Sequence, residues 1–137
     1  MPLDPVLVLD TRAWFLKART DLRGAAADLA ADPPVLEDVL FHSQQAVEKA
    51  MKGFLTWHQH PFGKTHDLRV LGKACQSNDE TLAPLVEKAI PLTWYAWKFR
   101  YPGAPEEPAH DEVFRSLATA REFVEAVLAR LPNEVRP

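Results

Sequence analysis

FHSQQAVEKAMK, from Phe41 to Lys52, followed after a short loop by Lys64-Thr65-His66-Asp67-Leu68, is the stretch on which the fold turns. Successive residues of a helix are rotated by about 100°. On that wheel His42, Gln45, Lys49 and Lys52 fall within a quarter-turn of one another, with Glu48 beside them. Val39, Val47, Ala50 and Phe54 form an apolar stripe on the opposite side. A helix with one apolar face is an element that must pack against others.

Outward from this stretch the same periodicity recurs. The helix itself is predicted from Val35 to His58 and stopped by His60-Pro61-Phe62-Gly63. Before it, Trp14, Phe15, Ala18, Leu22, Ala25, Ala26 and Leu29 predict a helix over Asp10 to Ala31, capped by Asp10 or Thr11. Asp32-Pro33-Pro34 ends it, because proline lacks the amide proton and disfavours helix in the residue before it. After it comes a short helix from His66 or Asp67 to Cys75, with Thr65 as cap. A fourth runs from Thr81 to Phe99, with a kink or break expected at Pro91. A fifth runs from Asp111 to Leu131, where Val113, Leu117, Ala120, Val124, Val127 and Leu131 make the seam of a packed bundle. Tyr101 to Ala109, with Pro102, Gly103, Pro105 and Pro108, reads as an irregular loop. No alternating Val/Ile/Thr run and no Asn-Gly or Asp-Gly turn marks a strand. The expected fold is all-α: an antiparallel up-and-down four-helix bundle with one short extra helix, in a single domain over residues 1–137.

Composition narrows the function. The 137 residues are 47% hydrophobic and 26% charged, as in an ordinary globular domain, and the net charge is −3. That balance argues against a general binder of phosphate backbones, although local basic patches are compatible with it. One cysteine, Cys75, precludes an intramolecular disulfide and fits a reducing cytoplasm. Met1 to Leu9 lacks the basic start and long apolar core of a signal peptide, and no apolar run approaches a bilayer span of about 20 residues. A cytoplasmic protein without membrane attachment is expected. His58 and His60 are two apart and diverge on a helix, and the five histidines form no metal-binding pattern, so no metal or other cofactor is expected. Cys75 sits on an apolar helix face as small core filler.

The polar row has two readings. It is either a solvated outer face or a surface that uses its hydrogen bonds and charges. Histidine and glutamine are unusual choices for a plain helix surface. The row also ends near Lys64, His66 and Arg69, and such a grouping suits phosphate groups, nucleotides or an acidic partner. Trp94, Tyr95, Trp97, Phe99 and Tyr101 crowd the end of the fourth helix. Trp94 and Trp97 share one face, and Tyr95 and Phe99 another. They serve as core and dimer packing or, beside Arg100, as a base-stacking platform.

The order of a Trp-containing first helix, FHSQQAVEKAMKGFL, GKTHDLRVL and a late RYPG resembles the HEPN domain (higher eukaryotes and prokaryotes nucleotide-binding) over almost the whole chain. The resemblance implies a helical bundle that commonly forms homodimers. It also implies nucleotide binding, often with a small nucleotidyltransferase partner in a toxin–antitoxin-like pair, or metal-independent ribonuclease activity. His42, Gln45, Glu48, Lys49, Lys52, Lys64, His66, Asp67 and Tyr101 are the candidate nucleotide- or partner-binding residues. The ribonuclease branch needs an Arg and a His one or two helical turns apart, the His as base on a 2′-hydroxyl and the Arg to stabilise charge at phosphorus. Here they would be Arg100 and His110, but nine residues, several of them Pro or Gly, lie between them, so the motif spacing is not met. Three functions follow: a nucleotide-binding and partner module, a rearranged ribonuclease acting on RNA, or a structural dimerisation module.

Overall fold

A computed structural model describes residues 2–99, 101–103 and 107–137. Among these residues the chain forms six α-helices and no strand: α1 (Pro5–Ala30), α2 (Leu36–Trp57), α3 (Leu68–Asn78), α4 (Ala83–Ala89), α5 (Pro91–Lys98) and α6 (His110–Leu128). Short 3-10 turns cover Glu80–Leu82 and Asn133–Val135. The architecture is the expected all-helical bundle.

The helix ends depart from the expected ones for local reasons. The start expected at Asp10 or Thr11 is corrected to Pro5. Asp4 caps α1 by accepting the Val6 amide at 2.9 Å, and proline at the first helical position is already set for the helix. Thr11 is instead fully buried, and its hydroxyl has no partner among the described residues. Thr65 is corrected as the cap of α3. Asp67 takes that role, accepting the Arg69 amide at 2.9 Å, while the Thr65 hydroxyl accepts the Asp67 amide at 3.1 Å one step earlier. The single helix expected over Thr81–Phe99 is divided into a 3-10 turn, α4 and α5. The chain restarts at Pro91, which has no amide proton to continue the ladder. The last helix stops at Leu128 rather than Leu131, though Leu131 and Val135 are still buried.

α2 occupies the middle of the bundle. It packs most extensively on α1 and also meets α6, α5 and α3. Phe15, Phe54 and Phe123 are among the largest side chains fully buried there, each worth roughly 2–3 kcal/mol relative to exposure. A second, smaller cluster gathers Ala25, Val39, Leu40, Phe99, Val113 and Leu117 near the other end. The consequence for α2 is unusual. Of its 22 residues only Glu37 is exposed, so the helix is partly covered on its polar side and buried on its apolar one. Among the described residues no helix is long and apolar enough to cross a membrane.

The α1–α2 contact depends on a missing side chain. A Cβ at Gly53 would stand 2.7 Å from Cε2 of the buried Phe15 ring. Overpacking of that kind costs about 1–3 kcal/mol, against a helix-propensity gain of at most about 1 kcal/mol for alanine. Gly53→Ala is therefore expected to lower the urea midpoint, and an unchanged or raised midpoint would show that α1 and α2 have slack.

Candidate functional site

The row on α2 is held by two carboxylates. The first is Asp21, on α1. It lies on the buried stripe of Thr11, Phe15, Ala18 and Ala25 and is itself only 8% exposed. His42 Nδ1 is 2.9 Å from Asp21 Oδ1, and the Lys49 ammonium donates to Asp21 Oδ2. The other ring nitrogen of His42 stands 3.5 Å from Asp28 Oδ2. Gly24 lets α1 come this near, since a Cβ there would be 3.1 Å from His42 Nε2.

The second carboxylate is Glu48. It is buried and accepts from Gln44 Nε2 at 3.2 Å and from Lys52 Nζ at 3.2 Å, and His66 Nδ1 lies 3.1 Å from each of its oxygens. Gln45 donates to Gln44 Oε1 at 2.7 Å, which leaves the fully buried Gln44 amide bonded through both its ends. The Lys52 ammonium also lies 5.7 Å from the Trp14 ring centre and 6.0 Å from that of Phe62, so its charge is met by a carboxylate and two ring faces. Gln44 Nε2 lies 3.4 Å from the His66 carbonyl oxygen as well, which ties the turn before α3 to the centre of the bundle.

His42, Gln45, Glu48, Lys49 and Lys52 are thus brought together, but mostly as donors and acceptors to one another and to α1. Burying a charge is tolerable only when it is paired and hydrogen-bonded, and these pairs meet that condition. The accessible chemistry lies one step away. Lys64, Asp67 and Arg69 are exposed, as is the His66 ring, whose Nδ1 is engaged by Glu48. That contact orients the imidazole, as carboxylates commonly do for functional histidines.

Beside this turn a cleft of about 540 Å³ opens between α3 and α5. Asp67, Arg69, Ile90, Pro91, Thr93 and Trp94 line it. The break at Pro91 shapes one wall, and the Leu68 amide, 3.3 Å from Thr93 Oγ1, fastens that wall to the start of α3. Trp94 is 76% exposed. Trp97, expected on the same face, is half-buried, with its ring edge-on to Phe41 at 5.3 Å. Phe99 is buried in the core, and the side chain of Tyr95 lies outside the described residues.

The remaining candidates are placed elsewhere. Tyr101 is exposed in a cleft of about 560 Å³ beside Pro33–Glu37, where the charged residues among those described are Glu37 and Glu107, a poor setting for phosphate. His110 is the first residue of α6 and exposed, and Arg100 lies outside the described residues. His60 Nδ1 is 3.0 Å from the Asn78 side-chain amide. Cys75 is fully buried in the core, its sulfur 3.7 Å from the Met51 carbonyl oxygen, and burial pushes its pKa up to about 12.

Sequence reasoning missed Asp21, Asp28 and Gln44. For Asp21 a signal existed: an acidic residue on the buried stripe of α1 requires a cationic partner. The match to the HEPN domain family model covers residues 11–131, most of the chain. Neither the curated proteins nor the solved structures gave a match.

Two outcomes follow from this geometry. Glu48→Ala strands the buried Lys52 charge and should cost about 3 kcal/mol. Exposed Lys64→Ala should change stability by less than about 0.5 kcal/mol. Equal urea midpoints for the two variants would exclude the central role of Glu48. Cys75 has a folded pKa raised above its ordinary 9.0, so its contribution to stability is complete below pH 9 and is lost as the pH rises toward about 12. At pH 8 the native thiol should resist disulfide reagents and react fully in urea, and rapid modification of folded protein would contradict the burial.

Proposed function

This chain belongs to the HEPN domain family, a group of nucleotide-binding or ribonuclease-type helical modules, and we propose that it acts as a nucleotide-binding module through the turn before α3. The observation that carries the reading is the α3–α5 cleft, which has a guanidinium, Arg69, and an exposed ring, Trp94, on its walls. The exposed side chains of Lys64 and His66 lie on the turn leading into Asp67. Its volume suits a small ligand, with Trp94 for the base and Arg69 and Lys64 for phosphate. His66, held by Glu48, adds a directional hydrogen bond. The α2 row supports the site from beneath: Lys49 and His42 are occupied by Asp21, so their part is to fix the scaffold. The reading gives Arg100 and His110 no role. It also accommodates a small nucleotidyltransferase partner, for which co-purification of the two chains is the expected result.

Calorimetric titration with ATP and GTP tests the proposal. Arg69→Ala should weaken binding about tenfold, as expected for loss of a charged hydrogen bond. Lys49→Ala should lower stability while leaving affinity within about twofold. The opposite pattern, affinity lost with Lys49 and kept without Arg69, would move the site onto the α2 row. No heat of binding for either nucleotide at millimolar concentration would overturn the reading.

A further inference from the structure

α1 is apolar on two sides. Phe15, Ala18 and Ala25 are buried in the core. Val6, Leu9, Ala13 and Leu16 follow one another at three and four residues, about half a turn away from them, and so form a second stripe on the opposite side of the helix. Val6 is 65% exposed and Leu9 63%, Ala13 and Leu16 are exposed as well, and none of the four belongs to either hydrophobic cluster. Single exposed apolar side chains are ordinary, and a helix needs only one apolar face to join a bundle. A second, continuous stripe on the same helix marks a surface that another molecule covers.

The charges beside the stripe indicate what covers it. Arg12, Lys17, Arg19 and Arg23 are exposed on α1, against one exposed carboxylate, Asp10. On the helix wheel Arg12, Arg19 and Arg23 border one edge of the stripe, and Lys17 and Asp10 the other. This face is cationic although the chain carries a net charge of −3. We propose that the stripe docks an acidic amphipathic helix of another protein. The apolar side chains of that helix lie between Val6, Leu9 and Leu16, whose three- and four-residue spacing is what ridge packing of two helices requires. Its carboxylates lie over Arg12, Lys17 and Arg23, while Arg19 is already tied to the Pro137 carbonyl oxygen at 2.6 Å. A second copy of this chain fits less well, because an isologous contact brings the same cationic face against itself. An anionic bilayer also fits less well. Asp10 stands one turn after Val6 on the same edge and the cations begin at Arg12, so the most exposed apolar side chains lie at the end where an anionic surface is repelled.

Fluorescence anisotropy of the full chain with two labelled synthetic helices decides the matter. One carries leucines three and four apart with glutamates between them, and the other has lysine in place of each glutamate. The acidic helix should bind at least about tenfold tighter than the basic one and should weaken as salt is raised. Val6→Ser combined with Leu9→Ser should weaken it at least about tenfold. Arg12→Ala combined with Arg23→Ala should weaken it about fivefold and remove most of the salt dependence. Both double variants should keep the parent's urea midpoint, since all four side chains are exposed. The proposal fails if the acidic helix does not bind, if the two helices bind alike, or if binding survives Val6→Ser with Leu9→Ser. Sedimentation and vesicle flotation test the other occupants. A parent dimer that this variant turns into monomer assigns the stripe to a second copy, and flotation with phosphatidylserine vesicles that this variant loses assigns it to a membrane. Either result overturns the proposal.

Discussion

A helix that carries charges and leaves only one of its residues well exposed has to neutralise most of those charges from within. α2 is such a helix, and Glu48 is where the constraint is met. One buried carboxylate receives the Lys52 ammonium and the Gln44 amide from its own helix, and the His66 imidazole from the following turn. An isolated carboxylate at that depth would cost several kcal/mol, so each of these donors is required. Asp21 repeats the device on α1, with His42 and Lys49 as its partners. These two carboxylates set how α1 and the turn at Lys64–Asp67 sit against the centre of the bundle. The α3–α5 cleft inherits its position from the second.

The helices were legible in the sequence because apolar spacing and proline are strong local signals. Asp32-Pro33-Pro34 and Pro91 marked breaks where breaks occur. Caps were less legible. Asp4 and Asp67 each compete with a nearby Ser/Thr/Asp alternative, and the choice is made by which side chain can reach the second amide. The polar row was found, but its surroundings were not. A helical wheel describes one helix at a time, and it places Gln45 and Lys52 on an outer face. Whether that face meets water depends on Asp21 and Asp28 from α1 and on the adjoining rings of Trp14 and Phe62, which lie against the Lys52 ammonium. Likewise, nothing in the spacing of Trp94 and Trp97 says that one stands free while the other leans on Phe41.

The cations of this chain accordingly fall into two populations. Lys49 and Lys52 stabilise the scaffold through partners inside the same molecule. Lys64, Arg69 and Lys98 are exposed around the α3–α5 region. In this sequence of slight negative charge Asp21 and Glu48 are paired in the interior, and Asp67, which shares the cleft with Arg69, has one carboxylate oxygen taken up by the Arg69 amide. His66 belongs to both populations, its Nδ1 turned to Glu48 and much of its ring in solvent.

The enclosure of α2 also bears on how this chain can drift over generations. Most surface helices offer an outer face on which substitutions accumulate almost freely. α2 offers Glu37 alone. Its apolar positions are constrained by volume and its polar positions by reciprocal pairing, so a change at Glu48 or Asp21 would have to be matched by a change on another helix. FHSQQAVEKAMK should therefore stay recognisable long after the outward faces of α3, α5 and α6 have diverged.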